Sequence, residues 1–213
     1  MVNFNVIIDN LSSYTKKEID KGKTPLDVYS ICSAIKEAFC ISFSIRKNNN
    51  FHLILLNELT VVRLNGEKLR FLGPDERSQS LLLLKALDLV RNLTKEESTH
   101  WLKSTPGIFV KKFNSIDSLL QNTIHISNRL FILIDKTEES ITSSSMANLS
   151  DIKFQEKDEF ILFFSEKMTS LKHIINILQE RFKIFFIKVN CDLTLEEKIL
   201  LINITIDQQT QGE

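Results

Sequence analysis

Glycine is nearly missing from this chain: among 213 residues only Gly22, Gly66, Gly73, Gly107 and Gly212 occur. Loops of the G-x-G-x-x-G or G-x-x-x-x-G-K-[ST] kind need closely spaced glycines so that backbone can approach a phosphate. Rossmann dinucleotide enzymes and P-loop ATPases of the usual kind are therefore excluded. Cysteine is limited to Cys32, Cys40 and Cys191, and neither C-x-x-C nor H-E-x-x-H spacing occurs. No disulfide framework and no metal site are expected, and a reducing, cytoplasmic setting fits. Neither sign of charge is in excess: 27 basic and 27 acidic residues cancel. That argues against a strongly cationic coat and leaves room for a local basic patch. No apolar run reaches the roughly 18 residues that span a bilayer, so no membrane partner is expected. Met1–Asn10 alternates instead of forming a cationic segment and apolar block, so it does not read as a signal peptide.

What is present is an ordinary globular composition, 43% hydrophobic. It is enough for one substantial α/β domain or two small ones. Val2–Asp9 alternates, with Val2, Phe4, Val6 and Ile8 on one face, which predicts a half-buried strand. Thr24 is the expected cap of a helix with Pro25 at its first position and a stripe of Val28, Ile31, Ile35 and Phe39. Phe51–Leu56 reads as a strand, and Val61–Leu64 and Leu69–Leu72 as a hairpin about Asn65-Gly66. Leu81–Val90 reads as a buried helix. Thr94-Lys95-Glu96-Glu97 is a capping box for a short helix carrying Trp101. Ser104–Gly107 reads as a loop before a strand at Ile108–Phe113. Arg129–Ile134, Glu159–Phe164 and Ile184–Val189 are short apolar runs of the kind found in central parallel strands. A Ser-rich segment, Glu139–Ser150, separates the first two and reads as an exposed insertion. Helices are expected over Ser170–Arg181 and from the capping box Thr194–Glu197 to about Ile206. No internal repeat is evident. Strands alternating with helices imply an α/β architecture with a mostly parallel sheet flanked by helices.

Several stretches form an ordered set. Pro74-Asp75-Glu76-Arg77-Ser78 precedes an apolar helix containing Lys85-Ala86-Leu87. Trp101 is followed by Ser104-Thr105-Pro106-Gly107-Ile108-Phe109-Val110-Lys111-Lys112. Upstream stand Leu26-Asp27 and Ser42-Phe43-Ser44-Ile45-Arg46. In order and spacing, over about Thr24–Phe113, this set resembles the signature of the archaeal tRNA pseudouridine-54 N1-methyltransferases of the SPOUT superfamily. The resemblance implies a single SPOUT-like domain over residues 1–213 with a trefoil knot in about 129–207. It further implies a homodimer, S-adenosylmethionine as methyl donor, and methylation of N1 of pseudouridine in the T-loop of tRNA.

That family binds its donor on three loops after successive strands. The corresponding stretches here are Leu133-Ile134-Asp135-Lys136-Thr137, Phe163-Phe164-Ser165-Glu166-Lys167-Met168 and Lys188-Val189-Asn190-Cys191-Asp192-Leu193. The resemblance makes Leu133, Asp135, Phe163, Ser165, Val189 and Asn190 the donor-contact candidates. All three loops depart from the family pattern, and no glycine lies between Gly107 and Gly212. Bulky Phe163 and Phe164 stand where close backbone approach is expected. A catalytically inactive relative that binds RNA or a partner is therefore the alternative reading.

Pseudouridine N1 carries a proton that must leave before it attacks carbon, and a placed carboxylate can take it. Asp75 is the candidate base, and Arg77 the candidate for holding a phosphate or substrate oxygen. The structural alternative is that Asp75 caps the following helix and Arg77 forms an ion pair. Arg46, Arg63, Arg70, Lys111 and Lys112 are candidates for a phosphate-contacting surface, and with Arg77 the expected RNA contacts are Arg46, Lys111 and Lys112, against an alternative of ordinary solvated charge. Trp101 stacks on a base or packs in a core. The four histidines are dispersed and read as structural or surface residues. The aliphatic faces of the last two helices read as core and dimer surface.

Overall fold

The computed structural model describes residues 2–42, 44–91, 100–125, 129–134, 146–155, 157–164, 171–189 and 192–210. Val2–Ile8 forms β1, and all seven of its residues are buried. The alternation predicted one solvent-facing side. Instead β1 is central, with parallel neighbours β4 (Asn49–Leu55) and β10 (Glu159–Phe163) on its two sides. Its polar positions are absorbed by a ladder running across the sheet. Asn3 Oδ1 accepts from Asn50 at 2.9 Å, Asn5 Nδ2 donates to Glu159 at 3.2 Å, and Asn5 Oδ1 sits 2.7 Å from His52 Nδ1. Polar groups so paired can be buried without orphaned donors.

Helix α1 (Lys16–Asp20) starts from a capping box of Thr15 and Glu18 that the periodicity did not reveal. Helix α2 (Leu26–Phe39) buries Val28, Ile31, Ile35 and Phe39 as the stripe predicts, but Pro25 is its N-cap and no side chain caps it. Thr24 Oγ1, the expected cap, is buried with no hydrogen-bond partner. After α2 come the two-residue strands β2 (Cys40–Ile41) and β3 (Ser44–Ile45). Strand β5 (Thr60–Asn65) pairs antiparallel with β4 and with β7 (Ile108–Lys112). The hairpin expected about Asn65-Gly66 does not form. The chain does turn there, with Lys68 N donating to Asn65 O at 3.1 Å, but Leu69–Leu72 does not pair back; a Cβ on Gly66 would lie 2.5 Å from the carbonyls of Arg46 and Asn49, so this glycine also serves close backbone approach. Helix α3 (Glu76–Arg91) covers β7. The capping box expected at Thr94–Glu97 lies outside the described residues. Ser104-Thr105 is strand, not loop: β6 (Leu102–Thr105) pairs antiparallel with β7 around the Pro106-Gly107 turn.

The remainder follows the expected parallel rhythm, except that Met146–Asn148, inside the Ser-rich segment read as an exposed insertion, is a strand paired with the last strand of the chain. Helix α4 (Ile116–Thr123), which the periodicity missed, is capped by Ser115. Then come β8 (Leu130–Ile134), β9 (Met146–Asn148), a 3-10 turn at Leu149–Asp151, β10, α5 (Leu171–Gln179), β11 (Ile184–Lys188) and α6 (Leu195–Thr210). The sheet order is β6-β7-β5-β4-β1-β10-β8-β11-β9. It is parallel from β4 through β9, with antiparallel pairing confined to the β4–β5–β7–β6 side. The core has two layers. Helices α2, α3 and α6 pack on the face carrying Phe4, Val6 and Phe51. Helices α4 and α5 pack on the face carrying Ile7, Ile54 and Ile161. The fold is mixed α/β, as expected.

Candidate active site at the carboxyl ends of the parallel strands

Ligands in open α/β sheets bind beyond the carboxyl ends of the strands, where neighbouring strands connect to opposite faces. Here that point lies between β1 and β10. The chain leaving β1 continues into α2 on one face, and the chain leaving β10 continues into α5 on the other. Register places Phe163 level with Ile7, Ile54, Val61 and Lys111 in one row across five strands. Beyond the row, Phe164 N donates to Ile7 O at 3.0 Å, Asn57 N to Asp9 O at 3.1 Å, and Val189 N to Ile134 O at 3.0 Å. The strands that carry the three stretches therefore end at one edge of the sheet, with Asp9 next to β10 and with Lys111 and Lys112 on the same edge, three strands beyond β1.

The individual candidates divide. Leu133 and Val189 are core residues, so only their backbone can face a ligand. Phe163 and Phe164 do not block the crevice together: each is partly buried, and they pack on opposite faces of the sheet. Asp135, Ser165 and Asn190 lie outside the described residues. Carboxylates that follow the strand ends at this edge include Asp9, Glu58 and Asp192. Sequence reasoning treated Asp9 as a strand end; its signal, an acidic residue closing an apolar N-terminal strand, was legible without the topology that gives it meaning. The half-exposed Phe163 and Phe164 rings, the strand-end backbone and these carboxylates fit a donor with an aromatic base and ribose hydroxyls in kind.

The other candidates lie on the opposite edge. Arg46 precedes β4 and Pro74-Asp75 precedes α3; with β2 and β3 they border an open cleft of about 490 Å³ lined by Cys40–Ser42, Lys47, Arg70 and Pro74 among others. The six residue steps of β4 set this edge about 20 Å from the strand ends. Asp75 Oδ1 accepts from Ser78 N at 2.7 Å and so caps α3. Arg77 bonds Asp20 through Nε at 3.2 Å and Nη2 at 2.7 Å. Arg46 grips Asp207 of α6 with both nitrogens, at 2.7 and 2.6 Å. Asp27 accepts from Ser12 N at 2.6 Å and Val28 N at 2.9 Å. In Ser104–Gly107, Gly107 has φ +86, and a Cβ there would lie 2.4 Å from Leu69 N. The signature residues thus hold α1, α2, α3 and α6 to the sheet. Within one chain Asp75 does not meet the strand ends.

Two charged groups are displaced by burial. His52, enclosed in the polar ladder with Arg63 and His125 near, has its pKa lowered to about 3, so its imidazole is neutral. Half-burial of the Arg63 guanidinium lowers its pKa as well. Trp101 packs edge-on against Phe113, with ring centroids 6.2 Å apart, and lies under Arg63. Among the described residues no cluster of three or more His, Cys, Asp or Glu could hold a metal ion, and no helix is long and apolar enough to cross a membrane.

Residues 11–152 match the model of the family described as "Putative SAM-dependent RNA methyltransferase". The chain belongs to this family. Three curated relatives carry the name tRNA (pseudouridine(54)-N(1))-methyltransferase. The protein from Methanococcoides burtonii is 31% identical over 121 residues, 55% of this chain and 56% of that one. The protein from Methanosarcina acetivorans is 37% identical over 84 residues, 38% of this chain and 37% of that one. The protein from Haloferax volcanii is 36% identical over 101 residues, 46% of this chain and 47% of that one. The chain spans about half or less of the length of these relatives. Across the whole fold it is similar to the crystal structure of Archaeoglobus fulgidus Nep1 bound to S-adenosylhomocysteine. The TM-score is 0.56 over 98% of both chains, at 10% identity, which is a likeness of fold. The family match ends at Ile152, before the second and third strand ends of the crevice.

Proposed function

We propose that this chain is an S-adenosylmethionine-dependent RNA methyltransferase acting on N1 of pseudouridine in the T-loop of tRNA, at position 54. The observation that carries the reading is that β8, β10 and β11 are adjacent parallel strands whose carboxyl ends share one edge of the sheet, in a member of an RNA methyltransferase family. The relatives' names supply the substrate. One SPOUT-like domain over 1–213, knotted within about 129–207, accounts for the course of the chain. Residues 152–154 run between the sheet and α6: Phe154 packs on Phe131 and Phe160, and Gln209 bonds Ile152 O at 2.7 Å and Phe154 N at 2.9 Å. A homodimer in the cytoplasm completes the proposal; exposed Leu200, Leu201 and Ile204 on α6 offer an apolar surface for a second copy.

When bound, the donor supplies an electrophilic methyl on sulfonium. The chain's part is to hold pseudouridine at the crevice, keep water out and take the N1 proton as N1 bonds the methyl carbon and the carbon–sulfur bond breaks. Asp9 is the carboxylate we assign to that proton, because it ends β1 at the switch point. Asp75 and Arg77 then act as helix cap and strap, and Lys111 and Lys112 take RNA phosphates. Backbone and side chains of Leu133, Asp135, Phe163, Ser165, Val189 and Asn190 would hold the donor.

Titration calorimetry with S-adenosylmethionine tests the reading: binding in the micromolar range is expected, and no heat up to millimolar donor would sink it. The absence of glycine between Gly107 and Gly212 favours a second reading, a diverged and catalytically silent RNA-binding relative. Labelled-methyl transfer to pseudouridine-containing tRNA separates the two.

A further inference from the structure

Six of the seven arginines bond an oxygen of the chain. Arg46, Arg77, Arg91, Arg129 and Arg181 pair with Asp207, Asp20, Asp88, Asp158 and Asp117, and Arg70 donates to the carbonyls of Glu67 and Leu69. Arg63 is the exception among the described residues. Its Nε is enclosed without a hydrogen-bond partner, and its guanidinium carbon lies 4.2 Å from the centre of the Trp101 ring and 5.2 Å from that of Phe109. A half-buried cation held flat by two rings, with no anion, is a costly arrangement for structure alone. The same arrangement is pre-organised for an incoming anion, because the fork is fixed before the ligand arrives.

The surroundings say which anion. Lys103 stands opposite Phe109 in register, and Lys111 lies 5.0 Å from the Phe113 ring on the same face. Val61 on this side is buried beneath α4; the described residues that β5, β7 and β6 leave uncovered there are Arg63, Asn65, Phe109, Lys111 and Lys103, with no carboxylate among them. Behind Arg63, neutral His52 adds no charge. Aromatic rings and cations spaced along one sheet face match a single-stranded polynucleotide, whose bases stack and whose phosphates recur. We infer that this face of β5, β7 and β6 is a docking surface for single-stranded RNA, with Arg63 on a backbone phosphate and Lys103 and Lys111 on its neighbours. The inference rests on RNA being the substrate, and it adds Arg63 and Lys103 to the signature residues Trp101, Phe109 and Lys111 on this face.

Trp101 is the chain's only tryptophan, so its emission reports on this site directly. A pseudouridine-containing T-arm hairpin should quench it and saturate. R63M should weaken hairpin binding roughly tenfold or more, and K103E should lower the salt slope by about one. R63K keeps the charge and loses the planar stack, so it should also bind more weakly; with K103E it carries the test if R63M fails to fold by circular dichroism. Three results overturn the inference. If the hairpin is retained on filters while emission and all variants are unchanged, RNA docks elsewhere and the function stands. If no RNA is retained, the inference fails together with the reading beneath it. If millimolar inorganic phosphate quenches as fully and displaces the hairpin without preference for the polyanion, the site takes small anions only.

Discussion

Arg46 and Asp207 form a two-pronged ion pair, at 2.7 and 2.6 Å, that ties the segment before β4 to the last helix across 161 residues of chain. Beside it Asn49 Nδ2 donates to Asn203 Oδ1 at 3.1 Å and to Ala38 O at 2.7 Å, and Asn203 Nδ2 donates to Glu37 O at 2.8 Å. Residues whose pattern suggested RNA contact thus fasten α6 over the sheet. D207N should lower stability in urea by about 1 kcal/mol, the range of a partly exposed bidentate pair. A double-mutant cycle with R46M should show coupling of similar size; full additivity would mean the pair is idle.

Methyl transfer should distinguish the two acidic candidates. D9N should reduce kcat by roughly a hundredfold or more with little change in donor affinity, as removal of a general base does. D75N should leave turnover nearly intact and cost about 1 kcal/mol of stability or less, because Asp75 caps α3. The reverse pattern in single-turnover assays overturns the assignment of Asp9.

His52 makes a pH prediction. Its folded pKa is lowered to about 3 against an ordinary value of 6.5. Between those limits the unfolded chain binds the extra proton and the folded one does not. This residue's contribution to stability is therefore full above about pH 6.5 and declines by up to ~1.4 kcal/mol per unit as pH falls toward 3. By NMR, the His52 ring resonances should stay fixed from pH 7 to pH 4; a midpoint near 6 would show that the ladder does not enclose the ring.

Gly107 should not tolerate a side chain. Both the positive φ and the 2.4 Å approach to Leu69 N oppose a Cβ. G107A should cost about 2–4 kcal/mol, from left-handed strain and displaced backbone together. An unchanged melting midpoint would show that the β6–β7 turn moves freely.

Parallel strands read clearly because both of their faces are buried: β8, β10 and β11 appear as unbroken apolar runs within a residue or so of their observed bounds. The stripe of α2 and the Thr194 capping box of α6 were equally legible, since each is a local code. Asn65-Gly66 misled because a turn dipeptide marks where the chain bends and does not say whether the segment after it pairs back; here β7 takes that place beside β5. Ser104-Thr105 misled because two polar residues before Pro-Gly look like loop, and only pairing with β7 makes them strand.

By itself the sequence determined the α/β rhythm, the absence of nucleotide-phosphate loops, and family membership through motifs spread over about 90 residues. Each of these depends on neighbours along the chain or on residue identity alone. Tertiary structure decided which signature residues are free to act. Arg77 and Arg46 look free to hold a ligand until Asp20 and Asp207 are brought to them. Asp9 looks ordinary until the register sets it at the switch point, and Arg63 is one basic candidate among several until folding sets it between two rings. A side chain's availability depends on partners that folding supplies from far along the chain, and no local pattern encodes them.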